Sequence, residues 1–378
     1  MGILFDFARS RHADDKEPLN NRSFNEFSEH PLLIEIDNPI NRFCDDFVSS
    51  LNEDKLQNNP KPDTQLCVQE QISIDDYTIQ GLIGHGAEAY VYEGIDNKRS
   101  LPVAIKVYKR VEHMGNGVPR EVEISALLDH PHLVKIIDCF EHQRQFEKSF
   151  VTIMPLATHG TFCHSNSPEL TINMAIELLF QLGSALNYMH SKNIIHHDIK
   201  PGNILIFDSG FSLCDFSVSV VLTDDDQQLN DRFGTSFFMA PEISRNSYSP
   251  KPTDMWSLGV TVYVLLFGKF PYNLSQLTEP STLPEFIRVT DNVMQSELTF
   301  PDWPVAPFEL KEIIAGLLKK DPEQRLTAEQ LVSNQWIREK VYEWNDLMGF
   351  LHGNETNEAS HKNYGTENTM PNDDDDDD

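Results

Sequence analysis

Basic residues are scarce in this sequence: 30 Lys and Arg stand against 59 Asp and Glu, for a formal net charge of −29. Binding to nucleic acid or to an anionic membrane surface needs clustered Lys and Arg, so the balance argues against both as partners. Cysteine is rare as well. Cys44, Cys67, Cys139, Cys163 and Cys214 form no CxxC pair, a pattern that suits a reducing intracellular setting, cytoplasm or nucleus. No charged-apolar-cleavage signal opens the chain, and Met1-Gly2 is followed by Asp6 where a myristoylation motif carries Ser or Thr. The longest apolar stretch, Leu258 to Phe267, is interrupted by Gly259 and Thr261 and falls far short of the roughly 20 residues that a membrane span requires.

What is present is an ordinary globular composition, 39% hydrophobic and 24% charged over 378 residues. That leaves room for one domain of roughly 250 to 280 residues with tails. The acid excess is heaviest at the ends: the net charge is −8 over residues 1–75 and −8 over residues 351–378. Residues 1–75 are therefore expected to be an acidic, mostly disordered N-terminal segment, with one short apolar run, Pro31 to Ile36, able to dock on the folded part. Residues 339–378 read as an acidic C-terminal tail that ends in Asp373 to Asp378.

Between these tails the pattern changes. Strand-like runs are predicted at Tyr77 to Ile83, Ala89 to Gly94, Pro102 to Val107, Leu133 to Phe140 and Phe150 to Met154, with a helix over Arg120 to Leu128. After Gly160 the periodicity turns helical, with segments at Thr171 to Ser191, Lys251 to Phe267, Leu310 to Lys320 and Ala328 to Asn334. A small β-rich lobe is thus followed by a larger α-rich lobe, joined near Pro155 to Gly160, and ligands favour such inter-lobe clefts.

Gly84-His85-Gly86-Ala87-Glu88-Ala89-Tyr90-Val91 lies between two predicted strands. Glycines there let a backbone turn approach phosphates and present N–H donors. One strand later comes Val103-Ala104-Ile105-Lys106, a lysine closing an apolar β run. Glu121, at the start of the predicted helix, offers a carboxylate able to hold that lysine, and Glu123 is the competing candidate. Further on, His196-His197-Asp198-Ile199-Lys200-Pro201-Gly202-Asn203 follows a helix. Asp, Lys and Asn on one irregular loop can supply an acceptor for a hydroxyl proton, a cation for a moving phosphoryl group and an oxygen ligand for Mg²⁺. Asp215-Phe216-Ser217 adds a second hard oxygen ligand. Each piece alone is commonplace in turns and surfaces; the order of the pieces is not.

Taken together these motifs resemble the signature of eukaryotic protein kinases. The loop at Gly84 to Val91, Lys106 in VAIK, Glu121, the His196 to Asn203 loop, Asp215 to Ser217 and Ala240-Pro241-Glu242 occur in the family's order. Asp254 to Gly259 resembles the central helix of the large lobe, and Arg325 the arginine that pairs with the Glu242 position. The resemblance covers Tyr77 to about Ile337. It implies an α+β, bilobal protein-kinase fold over residues 76–338, with a small β-rich N-lobe and a larger α-helical C-lobe. It further implies ATP and Mg²⁺ as cofactors and a protein substrate with a Ser or Thr acceptor, another kinase among the candidates. Under it, Asp198 orients the acceptor hydroxyl, Lys200 stabilises the γ-phosphoryl group, and Asn203 and Asp215 hold Mg²⁺. Gly84, Gly86 and Lys106 with Glu121 hold the phosphates; Val91, Ala104, Leu205 and Met154 enclose the adenine; and Ala157 supplies a backbone N–H. Lys200 two positions after Asp198, with Thr235, marks the Ser/Thr branch, and several runs are most similar to the calcium/calmodulin-dependent kinases and their upstream kinase-kinases.

Four positions depart from the pattern: Ala89, Ser125, His197 and Ser217. None removes a phosphate-, metal- or hydroxyl-binding group. The alternative is a pseudokinase scaffold that binds nucleotide without efficient transfer; its expected sign would be loss of Lys106, Asp198 or Asp215, and all three remain. Calmodulin is disfavoured as a partner, because a target helix would be basic and Trp336 to Phe350 sets Arg338 and Lys340 against Glu339, Glu343 and Asp346.

Overall fold

The strand residues sort by side-chain parity, which explains where the site lies. In the central strand β4 (Leu101–Tyr108), Val103 and Ile105 join one apolar cluster with Ile74, Tyr77, Val151 and Ile153. Ala104 joins a second cluster on the other face with Val134 and Met154. Successive side chains leave a strand on opposite faces, so Lys106 and Tyr108 follow Ala104 and not Ile105. The sheet of β4 also contains β1 (Ser73–Ile74), β2 (Tyr77–His85), β3 (Ala89–Asp96), β5 (Asp138–Arg144) and β6 (Glu147–Pro155). They form one antiparallel sheet in the order β1-β2-β3-β4-β6-β5. The computed structural model describes residues 73–344 and 346, apart from 87, 110–117, 145–146, 164–167, 246, 273–279 and 281. The Pro31 to Ile36 run therefore lies outside the described residues.

Helix α1 (Arg120–Ser125) lies against the second face of the sheet, where Val122 packs with Tyr108, Cys139 and Phe150. Beyond Pro155 the fold is helical. Helix α2 (Ile172–Ser191) starts where the Thr171 hydroxyl accepts the Met174 N–H at 3.2 Å. Helix α3 (Lys251–Phe267) is apolar around most of its circumference, is buried along nearly all its length, and ends at Gly268 in the left-handed region, φ +64°. Helices α4 (Leu283–Gln295), α5 (Phe308–Leu317) and α6 (Ala328–Val332) complete this lobe. Two short hairpin-like pairs lie between α2 and α3: β7 (Ile194–Ile195) with β10 (Val220–Val221), and β8 (Ile204–Phe207) with β9 (Gly210–Leu213). Residues 334–344 belong to a second compact unit, helical over 335–344.

The α+β, two-lobe expectation holds, with local corrections. The strand expected over Leu133 to Phe140 begins only at Asp138; Leu133 makes an isolated bridge to Leu213 instead, because residues 130–134 bond to the β9 edge through Val134 N–H to Leu213 O at 2.9 Å and Leu213 N–H to His132 O at 2.9 Å. The helix expected to reach Leu128 stops at Ser125. Helix α4 was not expected at all; its Thr282 and Glu285 form a capping box that the sequence does display. Among the described residues no helix is long and apolar enough to cross a membrane.

Candidate active site

Two ion clusters meet between the lobes. The first is built on β4 and α1. Lys106 Nζ lies 2.5 Å from Glu121 Oε2 and 3.6 Å from Asp215 Oδ1. Burial pulls the Lys106 ammonium toward neutrality, but Glu121 and Asp215 outweigh it and hold its pKa well above the ordinary value. Asp215 mirrors this: burial alone would raise it, yet Lys106 leads the groups that keep it below the usual carboxylate range. Between the two glutamates offered by the sequence, the fold selects Glu121, which is buried, while Glu123 is half-buried. Sequence reasoning missed Tyr108, whose hydroxyl donates to the same Glu121 oxygen at 2.5 Å. Its place two residues after Lys106, on the same face of the strand, was the available signal.

The second cluster sits on the loop after α2 and β7. Asp198 is ringed by donors: Lys200 Nζ lies 2.8 Å from its Oδ2, Asn203 Nδ2 donates to Oδ2 at 3.0 Å, and the Thr235 hydroxyl donates to Oδ1 at 2.8 Å. Lys200 Nζ also donates to Thr235 Oγ1 at 2.8 Å. A threonine hydroxyl is thus held between a carboxylate acceptor and an ammonium. Because the Asn203 amide nitrogen also donates to the Asp198 carbonyl at 2.7 Å, its oxygen is left as the group able to meet a cation.

The loop itself is anchored from below. Asp254 on α3 is fully buried and accepts the backbone N–H groups of His196 and His197, each at 2.9 Å, and His190 Nε2 at 2.9 Å. Burial would raise this carboxylate, but His190 first among its neighbours holds it low. These bonds support His197 at φ +69°, a region that non-glycine residues rarely enter. Gly234 is required for a different reason: at φ +103° an added Cβ would stand 2.2 Å from His197 O. Under the resemblance to protein kinases, Gly234→Ala is expected to lower kcat/KM for a peptide acceptor at least about tenfold, since it displaces Thr235 from Asp198 and Lys200, with nucleotide affinity unchanged by calorimetry.

Of the remaining expected residues, Ala104 and Met154 are core partners in one cluster against which Val91 and Leu205 pack, so the four chosen to enclose an adenine do come together. Ala157 follows β6 and is half-buried. Gly84 pairs with Val91, and the Gly86 N–H bonds to Ala89 O at 2.9 Å. A Cβ on Gly86 would meet nothing within 4 Å, and one on Gly84 only Val91 at 3.7 Å, so both backbones face open space. Ala89 lies in β3 and is buried. Ser125, on the buried side of α1, accepts the Ile136 N–H at 3.4 Å, which gives its hydroxyl a partner where an aliphatic residue would have none. Arg325 meets Glu242 in two bonds, 2.5 and 3.0 Å, as expected.

The protein kinase domain model matches residues 77–337. The chain belongs to the protein kinase family. Within it, the kinase is 33% identical over 59% of its length to the serine/threonine-protein kinase GRIK2 of Arabidopsis thaliana. It is 29% identical over 69% to CBL-interacting serine/threonine-protein kinase 20 of the same plant, and 28% identical over 72% to the calcium/calmodulin-dependent protein kinase cmkA of Emericella nidulans. The chain spans 53%, 58% and 64% of those relatives' own lengths. These relatives are serine/threonine-protein kinases, one of them calcium/calmodulin-dependent.

Proposed function

We propose that this chain transfers the γ-phosphate of ATP to serine and threonine hydroxyls of protein substrates. The observation that carries the reading is the Thr235 hydroxyl, held 2.8 Å from both Asp198 Oδ1 and Lys200 Nζ: the same pair that seats one aliphatic alcohol can seat another. Asp198 then accepts or orients the acceptor proton, and Lys200 offers positive charge to the transferred group. Lys106, fixed by Glu121, binds nucleotide phosphates with the Gly84 and Gly86 backbone, while Val91, Ala104, Met154 and Leu205 cover the base and Ala157 N–H bonds its edge. Asn203 and Asp215 together offer the hard oxygen ligands that suit Mg²⁺ delivered with nucleotide. When bound, that ion would neutralise phosphate charge. In this reading the catalytic domain is residues 76–338, flanked by acidic segments.

The test is to incubate the protein with labelled ATP and an array of degenerate Ser, Thr and Tyr peptides, wild type beside Asp198→Asn. Label on Ser and Thr spots that disappears in the variant is the expected result. Nucleotide binding with no transfer in the wild type would overturn it.

A further inference from the structure

Glu121 is served by two donors from one strand, and they differ in kind. Lys106 Nζ and the Tyr108 hydroxyl each lie 2.5 Å from the same carboxylate oxygen, Oε2. They leave β4 on the same face, two positions apart, so one carboxylate spans both. Tyr108 and Glu121 are each 4% exposed. The phenol ring sits in the apolar cluster with Val118, Val122, Cys139 and Phe150, edge-on to Phe150 with centroids 6.2 Å apart. Lys106 Nζ lies over that ring, 5.3 Å from its centroid. Burial, and after it the Glu121 charge, push the phenol far above its ordinary pKa, so the hydroxyl stays a neutral donor.

The two donors part company once phosphate arrives. Lys106 is shared: it faces Asp215 at 3.6 Å as well as Glu121, and nucleotide phosphates draw it further from Glu121. Tyr108 stays where its ring is packed. That hold matters because helix α1 is short. Its six residues, with no side-chain cap at Pro119, are far fewer than the roughly 12 to 15 at which an isolated helix is stable, so tertiary contacts decide where it stands. Among these are the buried Val122 and Ile124, Arg120 Nε donating to Ser219 O at 3.0 Å, and the Glu121 carboxylate. Tyr108 grips the helix twice, with its ring against Val122 and its hydroxyl on Glu121.

We propose that Tyr108 is a positioning residue for phosphoryl transfer, whose hydroxyl keeps Glu121, and through it α1 and Lys106, aligned while the lysine binds phosphate. The proposal rests on the kinase reading above.

The experiment uses the full chain carrying Tyr108→Phe, which removes the hydroxyl and keeps the ring. Melting temperature is expected to change little. KM for ATP should rise and kcat/KM for ATP fall by about tenfold, the weight of one hydrogen bond to a charged group. KM for a peptide acceptor should stay at the wild-type value, because Asp198, Lys200 and Thr235 are untouched. A merely structural role would lower kcat through the fraction folded and leave both KM values alone. In a Glu121→Ala background, followed by single-turnover assay, the same change should cost less than about twofold, since the hydroxyl acts through that carboxylate. Hydrogen exchange supplies a readout apart from activity: amides of residues 120–125 should exchange faster in Tyr108→Phe, and those of α2 at the wild-type rate. A folded Tyr108→Phe that matches wild type, a loss of kcat with KM for ATP unchanged, or the full effect in the Glu121→Ala background overturns the role and leaves the kinase reading standing. A Tyr108→Phe protein that is unfolded or melts far below wild type makes the hydroxyl structural and overturns it as well. A wild type that transfers no phosphate overturns the kinase reading and this role together.

Discussion

Lys106→Met and Asp215→Ala are each expected to reduce phosphoryl transfer by about 10²-fold or more, since positioning and electrostatic stabilisation provide nearly all the catalysis in this chemistry. The two residues act on one geometry. Lys106 is buried between Glu121 at 2.5 Å and Asp215 at 3.6 Å, so under the proposed function it meets the nucleotide phosphates already oriented and charged. Removing Asp215 leaves Lys106 paired with Glu121, and the effect on stability should be small. Removing Lys106 leaves the buried Glu121 carboxylate with the Tyr108 hydroxyl at 2.5 Å, so this variant should melt somewhat lower while remaining folded. Single-turnover assays on protein verified as folded separate the two consequences. Transfer within tenfold of wild type in either variant would remove that residue from the catalytic machinery.

Arg325→Ala is expected to destabilise the large lobe by about 3–5 kcal/mol, the usual cost of leaving one partner of a buried ion pair alone. Both charges are inaccessible, with side-chain exposures of 0% and 1%. The guanidinium satisfies four acceptors at once: both Glu242 oxygens at 2.5 and 3.0 Å, Pro252 O at 2.8 Å and Lys319 O at 2.9 Å. It also lies over the Trp256 ring, 5.0 Å from the centroid. Arg325→Lys should recover little of the loss, because an ammonium cannot span both carboxylate oxygens and stack on the indole. Urea unfolding with the m-value checked for constancy is the measurement. A loss below about 1 kcal/mol would place the pair with exposed salt bridges, whose contributions are small.

The two glutamates near Lys106 show where reading the chain stopped. Both occur in the first turn of α1, and local sequence does not say which faces the sheet; the answer depends on how Val122 and Ile124 dock, since these buried residues set the rotation of the helix. The Leu133 to Phe140 segment failed for a related reason. Its apolar residues suit a strand, but the backbone partners of 133 and 134 belong to β9, some eighty positions further along. Helix α4 was legible but missed: Phe286, Val289, Thr290 and Val293 recur at helical spacing on its buried face, the amphipathic period that marks a helix.

By itself the sequence determined the family, the order of lobes, and the identity of the residues that carry charge to the cleft. Those features rest on residue types whose chemistry is needed in any context: glycines where backbone must approach phosphate, a lysine at the end of an apolar strand, and Asp, Lys and Asn on one loop. Only the tertiary structure decided which partners those charges meet. Glu121 over Glu123, Thr235 against Asp198 and Asp254 beneath the catalytic loop are contacts between segments far apart in the chain. Their energies depend on burial and on distances of about 3 Å. Neither exists until distant elements pack, and local periodicity carries no record of them.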